Sequence, residues 1–174
     1  MAACPCSHVV IMMNVLKICV KQQKLFFYNN RCLRSVYPVS TAKQGVGQQA
    51  GSMMTPQGWH VVRAKIGSGM PMDAVFKGRR VIGRYPHLVQ EMPEQDWILG
   101  RILWLSGLEV ARNRLGDVDT MRRYIYIHGT PDPVDGVPRS AGCIRMRCKD
   151  VVALYDQVTV GNRIYIQFIE KGEQ

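Results

Sequence analysis

Apolar and polar residues alternate over short stretches for most of the chain, the period of strands with one buried face. Residues 15–20 (VLKICV), 24–28 (KLFFY) and 31–40 (RCLRSVYPVS) predict three strands. Gln22-Gln23 and Asn29-Asn30 are the turns between them, since Asn tolerates positive φ. Residues 41–52, dotted with glycine, predict a loop. Gly45-Val46-Gly47 within it is not a phosphate cradle, because no G-x-G-x-x-G or Lys-Ser/Thr sequel follows. Thr55-Pro56-Gln57-Gly58 predicts a turn, and 59–66 a strand with Trp59, Val61, Arg63 and Lys65 opposite His60, Val62, Ala64 and Ile66. Residues 74–77 predict a short strand. Residues 81–96, with Pro86 and Pro93 among polar residues, predict a long irregular excursion, of the kind that often serves function; a flap over a cleft is expected there. Residues 97–105 are apolar at nearly every position except Arg101 and predict a fully buried strand. After a polar connection, 123–128 predicts another strand. Val151, Val152, Leu154, Tyr155 and Val158 fall at helical spacing and predict the one convincing helix, over 149–158. Gly161-Asn162 ends that unit, and 163–169 is a last alternating strand. Many short strands and one helix imply a mainly β domain, a sandwich or partly closed barrel.

A chain of 174 residues can bury a full core as one domain without disulfides or metals. Its net charge of +10 raises the possibility of a nucleic-acid partner. The 23 cationic residues are scattered, however, and only Arg79-Arg80 and Arg122-Arg123 are adjacent. With no basic helical stripe and no glycine-rich aromatic motif for RNA, no nucleic acid is expected. The charge suits an anionic polymer or an anionic membrane surface, and equally a merely soluble basic surface. Cysteines at 4, 6, 19, 32, 143 and 148 do not form a disulfide framework and fit a reducing compartment. Cys4-Pro5-Cys6 with His8 is only a fragment of a zinc set, and His128, Cys143 and Cys148 lack a fourth ligand. No metal or organic cofactor is expected. The first charge, Lys17, follows the apolar run, so no secretory signal is expected, and 8–20 is too short and polar to span a membrane. Residues 1–12 are read as an extension, disordered or from a mis-assigned start, before a domain over 13–174.

The chemistry concentrates in 124–148, YIYIHGTPDPVDGVPRSAGCIRMRC. Alternation puts Tyr124, Tyr126 and His128 on one side of a strand and Ile125 and Ile127 on the other. Pro131, Pro133, Gly136 and Pro138 then turn the chain back, and Cys143 follows His128 after 14 intervening residues. A thiol and an imidazole at one sheet rim are the minimum set for cysteine nucleophilic catalysis, through a thiolate–imidazolium pair. Gly142 can adopt backbone angles that aim the surrounding amides at one point, as an oxyanion hole requires. Arg145, two residues past Cys143, shares its face and can hold a carboxylate in a bidentate pair. Each residue also has a plainer reading, a buried small hydrophobe for Cys143 and a satisfied polar group for His128.

HGT followed by a turn-rich loop and SAGCIRM resembles the L,D-transpeptidase catalytic domain of YkuD type. The resemblance extends, in order, to YPVSTA (37–42), GSMMTPQGWHVVRAKIG (51–67), FKGR (76–79), RILWLSGLE (101–109) and VDT (118–120), and covers position 15 to the end. It implies that family's β fold with one helix after the cysteine motif, and an acyltransferase acting on peptidoglycan stem tetrapeptides in the cell envelope. Without a visible export signal, the cytoplasm stays open as its place of action. Cys143 would attack the carbonyl of the third residue, D-alanine would leave, and an amine would resolve the thioester. His128 would be base and then acid, oriented by the backbone carbonyl of Gly129. Backbone N–H groups of Ala141, Gly142 and Cys143 would hold the oxyanion, with Ser140, Arg145 and His60 shaping the substrate site, although a structural polar role is the plainer reading of His60. The thiol would also be open to carbapenems, and the protein is expected to be a monomer. Two positions depart from the family pattern: Ala141 stands where a histidine is usual, and Cys148 where an asparagine is common. The rival readings are an L,D-carboxypeptidase that lets water resolve the acyl-enzyme, and an inactive peptidoglycan-binding module that Ala141 alone favours. A papain-like protease is the most distant, since the His precedes the Cys.

Overall fold

The computed structural model describes residues 14–88 and 96–169. The expected extension over 1–12 and residues 89–95 of the expected flap lie outside the described residues. Strands β1 (Asn14–Cys19), β2 (Lys24–Asn29) and β3 (Cys32–Pro38) form an antiparallel meander. β4 (Gly58–Ile66) pairs with β10 (Arg163–Gln167), which returns parallel to β1. The long β7 (Ile98–Gly107) has three neighbours: β4, the short β5 (Ala74–Lys77) and β8 (Tyr126–Thr130). β9 (Ile144–Arg147) lies parallel to β8. All of these belong to one ten-stranded sheet that curls into a half-barrel. Just past β3, Ser40 N–H donates to the Arg145 carbonyl and Arg145 N–H to the Ser40 carbonyl, both at 2.9 Å, so the two ends of the sheet meet.

The alternation seen in the sequence sorts the residues. Leu16, Ile18, Leu25, Phe27, Val62, Leu103, Ile127 and Ile164 turn inward into one buried cluster. Helix α2 (Cys148–Gln157) caps that cluster with Val151, Leu154 and Tyr155. Its cap position falls on Arg147, which makes no side-chain capping bond, and Cys148 is the first helical residue. Lys65 Nζ donates to the carbonyls of Tyr155 and Val158 and so satisfies two of the groups that a helix end leaves open.

Two departures from the sequence reading have physical causes. Within 81–96, expected to be irregular, the chain forms β6 (Arg80–Arg84), followed by one helical turn, α1 (Tyr85–Leu88). β6 is an edge strand paired only with β5, and its Val81 and Ile82 are exposed, so no alternating pattern records it. Arg101 is buried on the apolar β7 because the strand bulges between Leu99 and Ile102; its guanidinium donates to the Met70 and Gly100 carbonyls. Among the described residues, no helix is long and apolar enough to cross a membrane.

Leu103 is fully buried at the centre of this packing, between β4 and β8. Leu103→Ala is expected to lower the unfolding free energy by about 3 kcal/mol, read from urea denaturation as a fall in midpoint with unchanged slope.

Candidate active site

The join between the sheet ends also holds the loop before Cys143. Ser40 Oγ donates to the Val137 carbonyl and accepts the Arg139 N–H. Thr41 O accepts the amides of Arg139 and Ser140, and Lys43 N–H donates to Ser140 O. Inside the bend, Ser140 Oγ donates to the Cys143 carbonyl at 2.5 Å and accepts the Gly142 N–H at 3.2 Å. Thr55 Oγ1 donates to the Gly142 carbonyl and accepts the Ala42 N–H, each at 3.0 Å. Gly142 has φ +130°, and a Cβ there would meet Ile125 Cδ1 at 3.0 Å, so the bend requires glycine.

β8 and β9 set the two reactive side chains on one face. His128 stands opposite Arg145, and the Tyr126 N–H donates to Cys143 Sγ at 3.4 Å. Tyr126, His128, Cys143 and Arg145 therefore point the same way, with Ile127 and Ile144 turned to the core. The Cys143 thiol is half-buried and donates to the Tyr124 carbonyl at 3.6 Å. His128 is fully buried, with Nδ1 2.9 Å from the Gly129 carbonyl oxygen. A carbonyl can only accept, so in the neutral ring the proton sits on Nδ1 and Nε2 carries the lone pair. Nε2 is buried with no hydrogen-bond partner among the described residues.

Burial decides the protonation of both groups. Loss of water lowers the His128 pKa below the ordinary histidine value, although the Gly129 carbonyl, Asp96 and Asp132 work against it. The same loss pushes the Cys143 thiol up to about 12, with Asp96 adding to the effect and the Tyr126 N–H, Arg145 and Arg123 opposing it. Burial thus favours a neutral thiol beside a neutral imidazole over the thiolate–imidazolium pair.

The remaining expected site residues divide. Gly129 is held to glycine because a Cβ there would fall 2.6 Å from the Leu99 carbonyl oxygen. Gly142 N–H is taken by Ser140 Oγ and is not one of the free donors expected at the bend. Arg145 does not present an open fork: its guanidinium binds Asp132 at 2.6 Å and Asp96 at 2.7 Å while only 7% exposed. His60 is fully buried, one ring nitrogen 2.9 Å from Gly58 O and the other 3.1 Å from Thr120 Oγ1, so it ties β4 to the 113–125 connection rather than lining a pocket. Cys148 packs on the opposite side of β8, near Val75 and Leu99, so it does not converge with His128 and Cys143. Among the described residues, no three His, Cys, Asp or Glu side chains could hold a metal ion.

A cleft of about 430 Å³ runs up to the bend, lined by Met53, Asp117, Asp119, Arg122, Ile125 and Ala141. With this geometry in place, the comparison with known families is decisive: residues 13–166 match the model of the YkuD L,D-transpeptidase catalytic domain. The chain belongs to that family. No curated protein sequence matches it. Among solved structures it is similar to the L,D-transpeptidase of Xylanimonas cellulosilytica (16% identity, TM-score 0.54, 90% of this chain and 61% of that one). It is similar also to an L,D-transpeptidase from Mycobacterium smegmatis (16%, 0.54, 90% and 59%) and to L,D-transpeptidase 3 of Mycobacterium tuberculosis with a faropenem-derived adduct (15%, 0.55, 90% and 60%). The chain spans about three-fifths of the length of these structures, and the likeness is one of fold.

Within this L,D-transpeptidase domain, three groups at the site carry little sequence signal. Thr55 reads as part of a turn, yet it fixes the Gly142 carbonyl. Asp96 and Asp132 come from separate loops and meet only on Arg145. Arg123, read as the first residue of a strand, binds the carbonyls of Gly47, Gln48 and Met54 and so anchors the cleft wall.

Two titrations check this electrostatic account. Burial lowers the folded His60 pKa to about 4 from 6.5. Between those values the unfolded chain binds the extra proton, so stability should fall as pH drops from 6.5 to 4, by roughly 3 kcal/mol. Denaturation midpoints of wild type and His60→Gln should differ in that window and run parallel above it. For Cys143, site-resolved mass spectrometry should show alkylation by a neutral haloacetamide still accelerating above pH 9.

Proposed function

We propose that this chain is a cysteine-dependent L,D-transpeptidase that acts on peptidoglycan stem tetrapeptides of the cell envelope. The observation that carries the reading is the His128 ring, whose Nδ1–H donates to Gly129 while its buried Nε2 lone pair stays unsatisfied on the face that bears Cys143. His128 faces Arg145, two residues past Cys143, while the Tyr126 N–H, two residues before His128, lies on the sulfur. The thiol and the imidazole thus share one face, and a thiol rotation and a bound substrate would join them.

With both groups neutral at rest, the thiol proton moves to His128 Nε2 as sulfur attacks the carbonyl carbon of the third residue. The S–C bond forms, and the oxyanion is met by the amides of Ala141 and Cys143, with Gly142 N–H committed to Ser140. Collapse breaks the C–N bond, His128 returns the proton to the departing amine, and D-alanine leaves. An acceptor amine then attacks the thioester, gives its proton to His128 and releases the thiol. Ala141, exposed at the cleft wall, supplies this amide regardless of its side chain, so the missing histidine does not remove a donor.

Incubation with a stem tetrapeptide, with and without an acceptor amine, tests the reading by product mass. The cross-linked or amine-exchanged product is expected only with acceptor, and tripeptide alone in both tubes would mean hydrolysis instead of transfer. Cys143→Ala should abolish turnover, and His128→Gln should lower kcat by roughly 10²- to 10⁴-fold. Turnover that survives Cys143→Ala would sink the proposal.

A further inference from the structure

We infer that Arg79 is the anchor for the C-terminal carboxylate of the stem peptide, beside the bond that Cys143 cleaves. The inference rests on the transpeptidase reading and names the recognition device of the same site. Arg145, the cation expected for this task, is already paired with two carboxylates, and the Arg123 guanidinium is spent on backbone carbonyls and the Ser52 hydroxyl. Arg122 shares its cleft with Asp117 and Asp119, which offset its charge. Arg79 is different. Its guanidinium lies 4.8 Å from the Trp104 ring centre and 5.1 Å from that of Tyr124, and Nη1 donates to the Tyr126 hydroxyl at 3.1 Å. Among the described residues no carboxylate pairs with it.

The two tyrosines tie this cation to the nucleophile. Each touches Cys143 Sγ with its backbone, Tyr126 through N–H and Tyr124 through its carbonyl, and reaches Arg79 with its ring. The path through Tyr126 runs 3.4 Å from sulfur to backbone nitrogen, one side chain, and 3.1 Å from hydroxyl to guanidinium, an upper limit on the direct separation. The carboxylate of the leaving residue lies about 4 Å beyond the attacked carbonyl carbon, and a charge-assisted hydrogen bond adds about 2.8 Å. That reach falls within the limit set by the tyrosine path.

The backbone also points to a use for this side chain. Gly78 and Arg79 both have positive φ, +55° and +68°, in the tight turn between β5 and β6. Asn or Gly would sit there with less strain. Tyr124, at φ +56°, is held in the same disfavoured region. The two strained residues meet each other, and flat aromatic walls keep the guanidinium fork directed without neutralising it.

The test is a binding cycle on the full chain with Cys143→Ala, so that affinity is read without turnover. A stem tetrapeptide ending in the D-alanine carboxylate should bind about 10- to 100-fold tighter than the same peptide ending in an amide. Adding Arg79→Gln should erase that preference while leaving amide binding unchanged, and Arg79→Lys should keep part of it. Equal affinity for acid and amide, equal weakening of both by Arg79→Gln, or no measurable binding of either would overturn the assignment. Wild-type turnover separates the two proposals. Turnover without an acid preference removes the anchor and leaves the transpeptidase, whereas an acid preference without turnover does the reverse.

Discussion

The pair of backbone hydrogen bonds between Ser40 and Arg145 is the constraint on which the rest of this molecule depends. Without it the curled sheet would have an open end at β9, with unpaired amides and carbonyls. With it, β9 is held on both sides, by β8 through the sheet ladder and by the 40–43 segment through the bridge. Register then does the remaining work. His128 must face Arg145, Tyr126 must lie beside Cys143, and a shift by one residue would turn the thiol into the core. The bend at 140–142 follows from the same anchor, because Ser40, Thr41 and Lys43 hold its outer rim while Thr55 and Ser140 fix Gly142 from both sides.

The same closure sets the chemistry. A site walled by sheet and loops excludes water, and loss of water favours the neutral form of both the imidazole and the thiol. In the proposed reaction activation therefore comes with the substrate, when the developing negative charge on oxygen is met by fixed amides. Arg145 fits this scheme as an electrostatic support. Its charge opposes the rise of the thiol pKa, while its two acidic partners, Asp96 and Asp132, hold it beside the pair and keep it off the substrate. A cation bound in this way steadies the local potential and leaves recognition to groups with open forks.

Much of this was legible in the sequence because it rests on short-range periodicity and on residue types with few alternatives. The strands of the meander, the β7 apolar run and the helix at 148–157 follow from burial of one face or of every face. His128, Cys143 and Gly142 stand out because imidazole, thiol and a positive-φ glycine have narrow uses. Long-range pairing was not legible. Ser40 with Arg145, Thr55 with Gly142, and Asp96 with Arg145 join residues tens of positions apart, and no local pattern encodes them. His60 had two readings from the sequence, and its burial and its contact with Thr120 fit the structural one. β6 escaped because an exposed edge strand has no buried face to mark it.

Part of the backbone strain lies near the site. Among the described residues eight non-glycine positions hold positive φ: Met53 and Leu115 lie at or beside the cleft, and Tyr124, whose carbonyl accepts the thiol, meets Arg79, while Gln23, Asn30, Arg31 and Ala111 lie in turns elsewhere. Each such residue costs of order 1–3 kcal/mol, and it persists only where surrounding contacts over-determine it. Here the contacts are at hand: the carbonyls that Arg123 binds fix the segment containing Met53, the Asp119 carboxylate accepts the Leu115 N–H, and Arg79 and Tyr124 hold each other. At the four positions near the site these ties hold the backbone in place before any substrate arrives, which is what the proposed reaction needs from its fixed polar groups.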